Sequence, residues 1–213
     1  MESKPKLSEE ERLFALSSLE REYWQAGKSV AGADEVGRGP LAGPVVAAVV
    51  LLPTECLIER VNDSKKLSPA RREMLYPIII EKALSYGLGW VWPEQIDTLN
   101  IRRATFLAFR QAYAELHTKP DVLFVDGRDK LDVAAMQEAV IHGDARCHCI
   151  AAASIIAKVE RDRYMEAQDA LYPAYGFAQN KGYGTAAHIA ALREIGPCPL
   201  HRRSFIGHFT GEG

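Results

Sequence analysis

Residues 33–44 read ADEVGRGPLAGP and follow directly on a short apolar strand predicted at 30–33. Two adjacent carboxylates, Asp34 and Glu35, stand at the end of that strand, and a Gly-Arg-Gly turn comes next. Because neighbouring acids repel each other, they gain little from being paired unless a cation lies between them. Glycines let a ligand approach the main chain closely. The stretch therefore predicts a metal site beside a backbone surface that contacts a ligand.

The acidic pair sets a geometric condition on this prediction. Adjacent residues of a regular strand face opposite sides of the sheet. Asp34 and Glu35 can share one site only if the strand ends or deforms there, which Gly37 and Gly39 favour. Taken by themselves, the two acids are equally compatible with a solvated turn.

Two further acids follow apolar stretches. Asp126 ends the run 122–125, and Asp144 follows His142 and Gly143. Functional groups of α/β folds gather where strands end, so we expect these acids to converge with the first pair. Alone, Asp126 also fits a turn-forming residue before glycine. Hard divalent cations such as Mg²⁺ prefer carboxylate oxygens. We interpret four other acids as bystanders to this site: Asp63, Asp97, Asp129 and Asp132. Asp129 and Asp132 lie in a polar turn after Gly127, where solvated acids are the default.

Composition narrows the class of protein. The chain has 213 residues, 47% hydrophobic residues and a net charge of −2, which suits one domain with or without an appendage. The charge excludes a globally basic nucleic-acid footprint but not a local basic patch. No apolar run reaches the ~18 residues of a membrane helix, and the charged N-terminus lacks an apolar signal core. We therefore expect a cytoplasmic protein.

The four cysteines do not follow the spacing of a structural zinc site. Cys147 and Cys149 are one residue apart, whereas zinc ligands are usually separated by two to four residues. Cys198 and His201 are the further candidate ligands. We favour reduced, buried thiols over zinc binding.

Strands and helices alternate along the chain, which predicts an α/β fold. Residues 1–29 are predicted to form an appended helix that starts with a capping box, Ser8 to Glu11, and residues 30–213 the main domain. The predicted strands after the first are 45–52, 86–92 and 122–125. The predicted helices are 68–83, 101–112, 151–171 and 185–195.

Basic and aromatic residues supply candidate contacts to nucleic acid. Lys65 and Lys66 precede a helix, and Lys158 and Arg161 share a face of the strongest predicted helix. Lysines and helix starts favour phosphate, although any one of these charges also fits a solvated surface.

Tyr183 lies between two glycines in the segment 181–185, KGYGT. Its ring is available to stack on a sugar or base and its hydroxyl to sense a 2′-OH, or it closes a turn over the core. For His188 we favour a structural hydrogen bond over a role as catalytic base.

The chain resembles the type 2 ribonuclease H family. Residues 33–44, the segment 149–158 (CIAAASIIAK) and the segment 181–185 carry the resemblance, which covers nearly everything from residue 58 onward as well. It departs from the family at His142, where lysine is usual, and at Cys149, where serine is usual. The resemblance implies an α/β, ribonuclease-H-like mixed sheet flanked by helices, with a helical C-terminal part.

The resemblance also implies an activity. A family member would hydrolyse the RNA strand of RNA–DNA hybrids and nick 5′ to single ribonucleotides embedded in DNA, leaving 3′-hydroxyl and 5′-phosphate ends. Two Mg²⁺ or Mn²⁺ ions would be held by four acids: Asp34, Glu35, Asp126 and Asp144. The implied substrate-binding residues are Gly37, Arg38, Gly39, Lys65, Lys66, Lys158 and Tyr183. We expect a monomer.

Three alternatives stay open. A type 3 ribonuclease H shares the fold and the acids, but it usually lacks the arginine of the Gly-Arg-Gly run and carries a separate N-terminal domain, for which 29 leading residues are too few. A hybrid-binding module without activity has no use for converging acids near phosphate. A small-molecule phosphatase leaves the Gly-Arg-Gly and Gly-Tyr-Gly elements without a task.

Overall fold

A five-stranded mixed sheet forms the centre of the fold in the computed structural model, which describes residues 7–211. The strands are β1 Val30–Val36, β2 Val45–Leu51, β3 Ser85–Val91, β4 Val122–Asp126 and β5 Met136–Val140. Their order is β3-β2-β1-β4-β5. The three strands from β3 to β1 pair antiparallel, whereas β4 is parallel to β1 and to β5. The carboxyl ends of β1 and β4 therefore lie side by side at one edge.

Helices cover both faces of this sheet, so the prediction of a mixed sheet flanked by helices is confirmed. The helices are α1 Glu9–Leu16, α2 Ser18–Gln25, α3 Pro69–Lys82, α4 Pro93–Leu99, α5 Ile101–Glu115, α6 His148–Asp169, α7 Phe177–Asn180, α8 Ala186–Ile195 and α9 Arg203–Thr210. The apolar stripe of α5 packs on one face and α3 with α6 on the other. Every residue of β2 is buried, as expected for a strand covered on both faces.

The helix α6 lies unusually close to β1. An added Cβ at Gly32 would stand 2.1 Å from the carbonyl carbon of Cys149, so only glycine permits this approach. The close contact brings the first turns of α6 over the acidic end of β1. No helix among residues 7–211 is both long enough and apolar enough to cross a membrane.

The predicted single helix at the N-terminus is two helices. The helix is interrupted at Ser17, whose hydroxyl donates a hydrogen bond to the Phe14 carbonyl oxygen. Such a bond from a serine side chain to the backbone competes with regular helix geometry. The predicted capping box of Ser8 and Glu11 is present. Glu20 of α2 is fully buried and accepts the N–H of Cys149, 3.0 Å away, at the start of α6.

The C-terminal part is helical, as predicted. The helices α7, α8 and α9 surround a small apolar cluster that includes Met165 and Phe177. Thr185 caps α8, and Asp97 accepts the backbone N–H groups of Arg203 and Ser204 at the start of α9. The carboxylate of Asp97 therefore docks α9.

Candidate active site

Three carboxylates lie together at the carboxyl ends of β1 and β4. Asp34 belongs to β1, Asp126 is the last residue of β4, and Asp144 lies in the 3₁₀ turn Gly143–Ala145. Each offers one oxygen, and these oxygens all lie within 4.8 Å of one another. The structure thus brings together three of the four predicted acids from segments that are far apart in sequence.

The proximity of these acids makes their ionised forms unfavourable. Burial raises the pKa of Asp34 well above the usual carboxyl range, and the charges of Glu35 and Asp126 raise it further. Burial also raises the pKa of Asp126, against the effect of the Gly143 N–H, which donates to its Oδ1 at 2.6 Å. A hard divalent cation would relieve this repulsion, so the donor set fits one.

Glu35 does not join this group of three. The strand β1 stays paired with β2 through Val36, whereas its pairing with β4 stops at Ala33, directly before the acidic pair. Since side chains alternate along a regular strand, Asp34 faces α6 and Glu35 faces α5. Arg38 donates to the Glu35 carboxylate at 3.2 Å. Burial raises the pKa of Glu35, opposed by Arg38 and reinforced by the charge of Asp126, which lies close by.

Lys65 reaches the acidic cluster from a neighbouring turn. Its Nζ lies 3.0 Å from Asp144 Oδ2, while the side chain stays 78% exposed. Burial opposes its positive charge, but the hydrogen bond and charge of Asp144 prevail and raise the pKa of Lys65. Asp63 caps this turn by accepting the Lys65 N–H at 2.9 Å and pairs with Lys66. Asp63 is buried, and its part is to hold the turn that carries Lys65.

The Gly-Arg-Gly turn is held from beneath by a buried arginine. Arg202, which is fully buried, donates to the carbonyl oxygens of Gly37, Arg38 and Gly43 at 2.6 to 3.1 Å. Gly37 has a φ of +92°, and an added Cβ would lie 2.3 Å from a second guanidinium. The shape of the turn therefore depends on glycine and on Arg202.

That second guanidinium belongs to Arg161, which is also fully buried. It donates to the carbonyl oxygens of Ala42, Pro44 and Lys181. Both sequence interpretations of Arg161, a phosphate contact or a solvated surface charge, are wrong. Neither this arginine nor Arg202 forms an ion pair within the part of the chain that the structure describes. Two guanidiniums that bind carbonyl oxygens and form no direct ion pair favour anions at the turn above them.

Tyr183 lies beside the same turn. The residue is 43% exposed, and an added Cβ at Gly39 would lie 3.9 Å from its Cε1. The carbonyl of Gly182 accepts the N–H of Leu41 at 2.8 Å, which joins the two glycine-rich segments directly. The Gly-Arg-Gly and Gly-Tyr-Gly elements therefore form one continuous surface, which we call the reading surface (residues 37–39 and 182–184).

Lys158 lies on α6, where its ammonium pairs with Asp162 at 2.7 Å. Burial lowers its pKa, against the effect of Asp162. The side chain is only 20% exposed, so it contacts a ligand less readily than Lys65 does.

The histidines and cysteines play structural parts. His188 is fully buried and bonds to the Tyr183 carbonyl at 2.9 Å, so the predicted structural hydrogen bond is confirmed. All four cysteines are free thiols, and three of them are buried: Cys147, Cys149 and Cys198. Cys56 is only half-buried, so the prediction of buried thiols is wrong for that residue. The only group of three or more candidate metal ligands found within residues 7–211 is the acidic cluster.

Comparison with known proteins identifies the class of this fold and site. The ribonuclease HII family model matches residues 31–208. The chain is 49% identical over 199 residues to ribonuclease HII of Acetivibrio thermocellus, covering 93% of this chain and 78% of that one. It is 52% identical over 188 residues to ribonuclease HII of Lactobacillus johnsonii, covering 88% and 75%. The crystal structure of ribonuclease H2 from Pyrococcus horikoshii superposes with a TM-score of 0.71 at 29% identity, covering 86% and 98%.

The fold and the acidic cluster thus define a nuclease of the ribonuclease H class. Within that class, the chain belongs to the ribonuclease HII family. It is a ribonuclease H, an endonuclease that acts on RNA–DNA hybrids. The family uses divalent metal ions, in keeping with the carboxylate cluster described above.

Proposed function

We propose that this enzyme nicks duplex DNA on the 5′ side of a single embedded ribonucleotide, as well as cutting longer RNA–DNA hybrids. The observation that carries the proposal is the continuity of the reading surface with the acidic cluster. The strand that supplies Asp34 leads within three residues into Gly37, and Tyr183 lies against Gly39. A phosphodiester at the carboxylates would therefore have its adjoining sugar at Tyr183, whose hydroxyl can recognise a 2′-OH.

Asp34, Asp126 and Asp144 are the proposed metal ligands, with Glu35 as the fourth. Glu35 would turn toward them, past the carboxyl end of β1, once substrate draws Arg38 away from it. The Arg38 side chain is 54% exposed in its ion pair with Glu35, so a substrate phosphate can reach it. Two bound Mg²⁺ or Mn²⁺ ions would lower the pKa of the attacking water and stabilise the leaving oxygen, giving 3′-hydroxyl and 5′-phosphate ends. The choice between Mg²⁺ and Mn²⁺ is tested by titrating each into the assay below.

The proposed substrate contacts divide into backbone and side-chain groups. Gly37, Arg38 and Gly39 present the main chain of the reading surface, above the buried charges of Arg161 and Arg202. Side chains proposed to contact phosphate or sugar are Lys65, Lys66, Lys158 and Tyr183. Of the lysines, Lys65 has the strongest support because it already lies at the cluster.

Residues 30–213 are the proposed catalytic domain, which the family match to residues 31–208 supports. The extension 1–29 is proposed as a structural addition whose described part caps α6 through Glu20. We also propose a cytoplasmic enzyme, which the free thiols support. Light scattering tests the expected monomer.

The decisive experiment maps the cut in a DNA duplex that holds one ribonucleotide, with Mg²⁺ or Mn²⁺ present. We expect a nick 5′ to the ribonucleotide and none in the all-DNA duplex. The Tyr183→Phe variant removes only the hydroxyl and should lose more activity on this duplex than on a long hybrid. Cutting of long hybrids alone would instead indicate the specificity of a plain hybrid nuclease, and binding without any cut would favour a hybrid-binding module.

A further inference from the structure

A buried row of hydrogen bonds runs behind Tyr183. His188 Nδ1 lies 2.9 Å from the Tyr183 carbonyl oxygen, and His188 Nε2 lies 2.9 Å from His201 Nε2. His201 Nδ1 lies 3.0 Å from the backbone nitrogen of Cys198. Both imidazoles are buried, at 0% and 2% exposure. All four ring nitrogens thus have a partner inside the protein.

The partners indicate where the protons lie when both rings are neutral. A carbonyl oxygen only accepts, so His188 donates from Nδ1 to the Tyr183 carbonyl and its Nε2 is an acceptor. His201 then donates from Nε2, and its Nδ1 accepts the Cys198 N–H. The Cys198 Sγ and carbonyl oxygen also lie near this Nδ1, at 3.2 and 3.3 Å. In this arrangement the two rings hold opposite tautomers.

Aromatic side chains enclose this pair. The ring of Tyr175 lies 4.7 Å from that of His201, and the ring of Phe177 lies 5.5 Å from that of His188. Burial lowers the pKa of His201 to about 4 and also lowers that of His188, so both stay neutral at pH 7. The arrangement is rigid because each ring is packed and hydrogen-bonded at both nitrogens.

The row connects the two halves of the reading surface. At one end it holds the main chain of Tyr183. At the other end His201 directly precedes Arg202, whose guanidinium binds the carbonyls of Gly37 and Gly43. The docked segment before α9 therefore sets the position of both elements at once.

We propose that His188 and His201 are positioning residues that aim Tyr183 at the 2′-OH and so set the preference for an embedded ribonucleotide. This inference rests on the proposed function, since it assigns the two histidines to that same site. Neither histidine touches substrate. They act by holding the Tyr183 carbonyl oxygen. We therefore expect them to change the ratio of incision at a single ribonucleotide to cutting of long hybrids, and to have less effect on the rate of long-hybrid cutting.

Paired substitutions test the proposal. In His188→Asn the amide nitrogen can take the place of Nδ1 and still donate to Tyr183, whereas in His188→Gln the amide takes the place of Nε2 and that bond is lost. We expect His188→Gln to lower incision at a single ribonucleotide by about tenfold, the effect of one lost hydrogen bond, relative to long-hybrid cutting. His188→Asn should retain the wild-type ratio of the two activities. His117→Gln, at an exposed histidine bonded to Ser85, is the matched control.

Equal loss on both substrates, or no difference between the Asn and Gln variants, would overturn the proposal. Because these variants could unfold, ¹⁵N NMR of the wild-type protein provides a second measurement. We expect the Nδ1–H tautomer at His188 and the Nε2–H tautomer at His201 at pH 7, and any other pair of tautomers contradicts the mechanism. A wild-type enzyme that does not incise at a single ribonucleotide refutes the proposed function itself, and the positioning role with it; the expected tautomers would then still establish the hydrogen-bonded row.

Discussion

Replacing Asp126 with asparagine should abolish cleavage and, at the same time, stabilise the metal-free protein. The amide keeps an oxygen that accepts the Gly143 N–H, so the local geometry is preserved. What disappears is one of three negative charges whose oxygens lie within 4.8 Å of one another. The same substitution removes a proposed metal ligand, so stability and activity should move in opposite directions.

The expected size of the stabilisation follows from the geometry. Two unit charges 4.8 Å apart repel by about 3.5 kcal/mol at an effective dielectric constant of about 20. The ammonium of Lys65, 3.0 Å from Asp144, and partial protonation of the acids relieve part of this repulsion. We therefore expect a gain of about 1–2 kcal/mol at pH 7, or roughly 2–8 °C in melting temperature for a chain of this length.

The pH dependence gives this prediction a sign. The pKa of Asp34 is raised in the folded state, so the folded protein binds more protons and loses stability as pH rises from the unfolded carboxyl value toward the folded one. The advantage of Asp126→Asn should therefore be small near pH 4 and largest at neutral pH.

Thermal unfolding measures these differences, first in EDTA and then in Mn²⁺ after the EDTA has been dialysed away. Mn²⁺ should raise the melting temperature of the wild type more than that of Asp126→Asn. Cleavage by the variant should fall by more than roughly 10- to 100-fold, which is the usual effect of losing a residue that only hydrogen-bonds to a metal ligand. Asp129→Asn is the control, because Asp129 is a half-exposed loop acid paired with Arg102. A metal-free Asp126→Asn protein that melts below the wild type, or one that cleaves near-normally, would refute the reasoning.

Three further predictions concern other parts of the site. Gly37→Ala should lower the free energy of unfolding by about 2 kcal/mol or more in urea unfolding, because its Cβ would lie 2.3 Å from a buried guanidinium. Gly39→Ala is the control: its Cβ would meet only the Tyr183 ring, 3.9 Å away, so the free energy of unfolding should change by no more than ~0.5 kcal/mol. Lys65→Gln should raise KM and reduce the salt dependence of hybrid binding by about one counterion, measured by titration at several salt concentrations; an unchanged slope would contradict a phosphate contact. Burial lowers the pKa of His148 to about 4, so the unfolded chain binds this proton more readily than the folded protein does. The free energy of unfolding of the wild type should therefore fall by up to about 1.4 kcal/mol per pH unit as pH falls from 6.5 towards 4. His148→Gln should weaken that pH dependence in urea unfolding across this range.

The sequence predicts the elements with strong local signals. The all-apolar run of β2 and the capped starts of α3 and α8 lie within one or two residues of their predicted positions. β5 is missed because it reads MQEAV, a largely exposed edge strand without apolar alternation. The break at Ser17 is missed because the leucine spacing of α1 continues through it.

The candidate site is predicted only where local sequence suffices. Three of the acids converge because strand ends meet at one edge of a parallel pair, which an α/β pattern already indicates. Glu35 is different, because the face of the sheet on which its side chain lies depends on how far β1 stays paired with β2. No local sequence pattern sets the length of that pairing. The buried roles of Arg161 and Arg202 come entirely from tertiary contacts with carbonyl groups. A charged residue type suggests exposure, and nothing in the neighbouring sequence of either arginine signals the opposite.

The contacts of Arg202 tie the Gly-Arg-Gly turn to the end of the chain. Its guanidinium meets carbonyl groups 159 to 165 positions earlier in the chain, whereas the three clustered acids all lie between residues 34 and 144. A chain that stopped before Arg202 would contain every acid of the cluster and lack the donor that holds the turn. Because a ribosome makes the chain from its amino end, the three acids are synthesised before the side chain that fixes the neighbouring turn.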